Sequence, residues 1–139
     1  MELDVFEILQ KFSEQKTRKD KIEFLKKNSI PALRDVCRGA YDKSIEWSLP
    51  DGKPPYTPSR PESTPNNLKK QHLEFGWFVK GMKGDTLTSY KRENKFIQLL
   101  ESIHPEDALI VLNMVQKKAP VKGLTKKIVE EAFPNLLTS

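Results

Sequence analysis

The sequence predicts an all-α fold, a compact bundle of about six to seven helices interrupted by one long proline-rich loop. Three observations predict it. Apolar residues recur at helical spacing in most segments, several of those segments open on a capping residue or an early proline, and no convincing strand appears. A chain of 139 residues with 37% hydrophobic content suits one domain over residues 1–139 with a single modest core.

Asp4 is placed to cap a first helix in which Val5, Ile8, Leu9 and Phe12 share a face. Thr17 and Asp20 resemble a capping box with the shorter acid, opening a second helix that carries Ile22 and Leu25 inward until Asn28. Ser29 is expected to cap a third, with Pro31 in its first turn and Leu33, Val36, Cys37 and Ala40 on one face. Six prolines between Ser48 and Asn67 then exclude helix and central strand, leaving a working loop or an ordered extended strap.

A fourth helix is expected over 68–82, with Leu68, His72, Phe75, Phe78, Val79 and Met82 on one side and Leu73 and Trp77 on the other. A fifth, from about Thr88 to Ile103, turns Tyr90, Phe96, Leu99, Leu100 and Ile103 inward. Pro105, Glu106 and Asp107 form a good start for a sixth, because proline loses nothing in a first turn and acids complement its positive end. Its run Ala108–Met114 is apolar on nearly every side, which marks the central core helix. Leu109–Leu112 alone also reads as a buried strand, but the cap and the length favour helix. Gly123 and Thr125 precede a last helix bearing Ile128, Val129, Ala132 and Phe133, which Pro134 stops.

Cys37 is the only cysteine, so an internal disulfide and a thiolate-rich metal site are excluded. No run approaches membrane-spanning length and the start lacks a basic-then-apolar leader, so a cytoplasmic protein is expected. The balance of 24 Lys and Arg against 19 Asp and Glu gives a net +5, which favours an acidic partner.

Catalytic candidates are few. His72 and His104 read as structural, no zinc-type spacing exists, and the serines lack a hydrolase elbow. Glu106–Asp107 reads as compensation of a helix dipole and Glu130–Glu131 as a solvated face. Gly81-Met-Lys-Gly84 has the spacing of a backbone-clamping loop but reads as an inter-helix turn. Pro55-Tyr-Thr-Pro58 and Pro58-Ser-Arg-Pro61 fit polyproline ligands and equally a plain linker.

Six basic residues fall in 16–27, partly offset by Glu23. More suggestive are the five lysines of 117–127, which surround a glycine turn feeding a helix start where free N–H groups suit a phosphate.

Phe6-Glu-Ile-Leu9, then Lys16-Thr-Arg-Lys-Asp-Lys-Ile-Glu-Phe-Leu-Lys-Lys-Asn28 and on to Tyr41, resembles the opening of ATP-dependent DNA ligases of the T-even phage type. Val111–Lys118, Lys122–Ile128 and Phe133–Leu137 resemble the end of their helical N-terminal DNA-binding domain. The resemblance covers about residues 5–47 and 95–137. It implies a grip on the backbone of duplex DNA with little sequence preference, through Lys117, Lys118, Lys122, Gly123, Thr125 and Lys126, with Lys16, Arg18 and Lys19 as secondary contacts.

The ligase nucleophile is a lysine in Lys-x-Asp-Gly, whereas the Asp-Gly here, Asp51-Gly52, follows Leu49-Pro50. The expectation is therefore a non-catalytic, cofactor-free DNA-binding accessory protein, working in a host's cytoplasm if phage-encoded. The alternative is a protein-interaction adaptor for a replication clamp or a host enzyme, docking through Leu73 and Trp77.

Overall fold

The computed structural model describes residues 3–137. Among the described residues seven α-helices follow in order: α1 (Val5–Glu14), α2 (Arg18–Lys27), α3 (Pro31–Tyr41), α4 (Leu68–Gln71), α5 (Ser89–Ser102), α6 (Pro105–Val115) and α7 (Lys126–Ala132). Two 3₁₀ segments, His72–Phe78 and Lys83–Thr86, lie between α4 and α5. Among the described residues there is no strand, only two isolated bridges, so the fold is all-α.

The caps show why the helices begin where they do. The Asp4 N–H donates to Glu7 Oε1 at 3.0 Å, and Thr17 Oγ1 accepts the Asp20 N–H at 3.0 Å. At α3 the expectation is corrected: Ile30 occupies the cap position and makes no side-chain cap bond. Ser29 lies one residue outside, because its carbonyl and hydroxyl oxygens instead accept from Arg34 Nη1 at 3.1 and 2.6 Å.

α6 is the central element, packed against α1, α3 and α5 with Ala108, Ile110, Val111, Leu112 and Met114 buried. Leu109 is the exception to burial all round, at 46% exposed. α3 meets α6 at Gly39, where an added Cβ would lie 2.6 Å from both Met114 Sδ and the Trp47 ring. α2 buries only Leu25 of its own residues and lies against α7.

The expected fourth helix is corrected as well. After one α turn the chain tightens to 3₁₀ over His72–Phe78, then extends at Val79. His72, Phe75 and Phe78 are all buried, because a three-residue spacing meets the inward face of a 3₁₀ helix as well as that of an α-helix. The two periods diverge further on, and Met82 is 54% exposed.

Residues 46–48 pair with 78–80 in place of further helix: the Ser48 N–H donates to Phe78 O at 2.6 Å and the Lys80 N–H to Glu46 O at 2.8 Å. Tyr90 is also corrected, being 75% exposed. It falls about 180° around the helix from Leu99, while Arg92 fills the inner side of that first turn by donating to the carbonyls of Gly84, Ser48 and Leu87.

The proline-rich segment is an ordered strap. The Thr57 N–H donates to Glu101 Oε2 at 2.7 Å, the Ser59 hydroxyl to Glu101 O, and the Asn66 N–H to Ser102 O at 2.8 Å. No helix among the described residues is long and apolar enough to cross a membrane.

Candidate nucleic-acid interface

α6 ends in a turn that positions the first two lysines. The Lys118 N–H donates to Asn113 O at 2.9 Å and the Lys117 N–H to Met114 O at 3.0 Å, closing the helix in the manner that normally takes glycine. Lys117 adopts φ 59, a left-handed conformation that costs a side-chain-bearing residue about 1 kcal/mol.

Its side chain is anchored: Nζ donates to Asp42 O at 2.8 Å, across to the turn after α3. Burial lowers the Lys117 pKa below the usual lysine value, with the charge of Asp42 opposing that shift. The Asp42 carboxylate is buried and accepts from the Ser44 N–H and hydroxyl at 2.9 and 2.7 Å.

The turn continues past buried Pro120 to Gly123, whose φ of 92 only glycine adopts without strain. Leu124 is fully buried and its carbonyl accepts the Tyr41 hydroxyl, which fixes the approach to α7. Thr125 Oγ1 accepts the Ile128 N–H at 3.3 Å, so one of the four free amides at this helix start is already satisfied by the chain.

Lys118, Lys122, Gly123, Thr125 and Lys127 are exposed and Lys126 is half-buried. Among the described residues none of Lys118, Lys122, Lys126 and Lys127 forms an ion pair.

The second group, Lys16, Arg18 and Lys19, is exposed but stands elsewhere. Arg18 pairs with Glu131 in the last turn of α7, so this group sits by the closing end of that helix while Gly123 and Thr125 sit at its opening. Lys21 is drawn inward, over the Phe12 ring and towards Phe12 O.

The remaining polar candidates hold the fold together. His72 Nδ1 lies 2.5 Å from Asp35 Oδ2, and His104 Nδ1 accepts the Glu106 N–H while its ring stacks on Phe6 at 4.1 Å. Gly81 and Gly84 form a turn closed by Asp85, whose Oδ2 accepts the Gly81 N–H at 2.8 Å. An added Cβ on Gly84 would stand 1.7 Å from Trp77 O, so this turn is seated on backbone. Among the described residues no three His, Cys, Asp or Glu side chains group as metal ligands, and burial pushes the Cys37 thiol up to about 12.

Leu73 is 72% exposed, whereas Trp77 is half-buried against the core with Lys83 and Lys95 over its ring at 4.7 and 5.0 Å.

Three residues carry more than the sequence revealed. Asp107 accepts the Phe6 N–H at 2.8 Å while buried, tying α6 to the start of α1. Desolvation is the main cause raising its pKa to about 7; the Phe6 N–H opposes it, and Asp4 and Glu7 add to it. Lys43 and Trp47 line a groove of about 660 Å³ together with Leu49, Asp51, Lys117 and Lys118. Nothing local signals this groove, because it depends on the long-range pairing of 46–48 with 78–80.

The chain belongs to a family of unknown function (DUF6433), whose model matches residues 8–120. That span takes in the whole groove lining and stops before Lys122. No curated protein matches the sequence.

Proposed function

We propose that this family member is a non-catalytic DNA-binding accessory protein that holds duplex DNA through its phosphates, with the turn between α6 and α7 as the contact surface. The observation that carries the reading is a set of four lysines, Lys118, Lys122, Lys126 and Lys127, around an exposed helix opening with no ion pair of their own among the described residues. An unpaired ammonium loses little on meeting a phosphate, and each contact releases condensed counterions from the duplex. The resemblance of both ends of the chain to the DNA-binding domain of T-even-type ligases supports the same reading. Arg18, already paired with Glu131, is a weaker contact than Lys16 and Lys19 beside it.

Phosphate contacts position without reading sequence, so affinity is expected to vary little with base composition. In this reading the chain performs no reaction of its own and works in the cytoplasm. The test is the affinity for a labelled blunt duplex at low ionic strength, for the natural chain and for Lys118→Glu/Lys122→Glu/Lys126→Glu. Binding by the former and a loss of about 100-fold or more in the latter are expected. Equal affinity, or no binding by either, refutes the proposal.

One observation favours a second reading, the protein-interaction adaptor: Leu73 is 72% and Met82 54% exposed, and Trp77 is half-buried under Lys83 and Lys95. Tryptophan is a usual anchor for a protein partner. Under that reading a Leu73→Ser chain loses its protein partner and keeps its duplex affinity.

A further inference from the structure

The groove beside Lys117 is built from three separate segments: the turn 43–47, the opening of the strap at 49–52, and the end of α6 at 115–118. Its apolar lining is half-buried. Ile45, Trp47, Leu49 and Val115 supply it, and Trp47 is held on three sides. The indole Nε1 donates to Gly39 O at 2.9 Å, the ring meets Phe75 edge-on at 6.1 Å, and the backbone is pinned by the bond from the Ser48 N–H to Phe78 O.

The charged lining is mixed, with cations in excess by one. Lys43, Lys117 and Lys118 face the groove with two acids, Glu46 and Asp51, and Glu46 is already turned to Lys80 at 3.5 Å. Lys117 occupies a backbone conformation that suits glycine, and its amine is tied to Asp42 O at the groove wall. A strained side-chain-bearing residue held at the wall of a cleft is the type of outlier that gathers at ligand clamps.

Apolar side chains beside three ammonium groups and two carboxylates, one of them turned to Lys80, are complementary to a ligand with a planar ring at one end and a phosphate at the other. Ligand pockets usually run from about 300 to 1,000 Å³, and this volume falls inside that range. We infer that the groove is a nucleotide site, with the base against Trp47, Leu49 and Val115 and the phosphate between Lys43, Lys117 and Lys118. The occupant is a phosphorylated nucleotide, either free or at the 5′ end of a DNA strand. This goes beyond the grip on duplex DNA and shares with it only Lys118.

Trp47 itself reports occupancy. In a Trp77→Phe background its fluorescence is titrated with deoxyadenosine 5′-monophosphate, with deoxyadenosine, and with one single-stranded oligonucleotide carrying either a 5′-phosphate or a 5′-hydroxyl. A saturable change with a phosphorylated probe is expected, at least about tenfold tighter than with its unphosphorylated counterpart. Saturation by the mononucleotide identifies a free nucleotide as the ligand; saturation by the oligonucleotide alone identifies a strand end.

Lys117→Gly keeps the left-handed turn and removes the amine, so the fold survives while affinity falls about tenfold. Lys43→Gln, at an exposed position, repeats the loss without touching the turn. No saturation by either phosphorylated probe, indifference to the phosphate, or unchanged affinity in both variants overturns the inference. Binding of a blunt 5′-hydroxyl duplex, measured alongside, reads the grip separately, so either proposal is able to fail while the other stands.

Discussion

The helices α1, α3 and α6 and the segment 48–87 are held by different forces. In the first, Val5, Ile8, Leu9, Phe12, Leu33, Val36, Val111 and Met114 are buried together, and stability is spread over many exchangeable apolar contacts. In the second, Leu68, Phe75 and Phe78 join that core, while the strap and the turn at 81–87 hang on a few polar anchors: Glu101, which takes Thr57 and Ser59, Arg92, which ties three carbonyls, and Asp85, which closes the turn at Gly81. Non-directional burial tolerates drift in the details of a helix, whereas a segment fixed by single hydrogen bonds depends on particular residues. The groove lies where the two regions meet, so its lining draws on both kinds of contact.

The largest effect expected is in the apolar region. Phe12 is fully buried, and Phe12→Ala should destabilise the whole chain by about 3–5 kcal/mol in urea unfolding, with one cooperative transition. A small loss would mean that α1 contributes little to the common core.

Asp107 is the polar exception within that region and makes stability depend on pH. Its folded pKa of about 7 stands above the ordinary 3.8, so the native state holds this proton more tightly than the unfolded chain does. The contribution of Asp107 to stability is therefore greatest below about pH 4, falls as pH rises towards 7, and levels off above it, with a total loss of at most about 4 kcal/mol. Asp107→Asn keeps an acceptor for the Phe6 N–H and removes the charge. The variant should be flat across that window and more stable than the natural chain at pH 8; parallel profiles would contradict this.

The smallest effect belongs to the strap. Glu101→Ala removes the acceptor for the Thr57 N–H and should cost about 1 kcal/mol globally. Hydrogen exchange should quicken at residues 56–60 and stay unchanged in α6. Faster exchange in both would erase the distinction between the regions.

The same contrast explains what the sequence reveals. Helices built on burial announce themselves by spacing, and Asp4, Thr17 and Thr125 mark their starts. The stretch 68–82 misleads because His72, Phe75 and Phe78 satisfy two helical periods at once, and its departure into pairing with 46–48 is a long-range event. Ser29 misleads because Arg34 claims its oxygens. Tyr90 misleads because an exposed aromatic looks like a core residue until its angle to Leu99 is counted. The lysines of 117–127 are legible because they are contiguous. Lys43, Trp47 and the tie between Asp107 and Phe6 are not, since each acquires its role only once distant segments meet.

The most direct test of the central claim is the salt dependence of duplex binding. With about four phosphates engaged by Lys118, Lys122, Lys126 and Lys127, the logarithm of the affinity should fall against the logarithm of salt with a slope of about −3 to −4, and Lys122→Gln should reduce that slope by about 1. A slope near zero, or one that Lys122→Gln leaves unchanged, would contradict a grip made by these lysines.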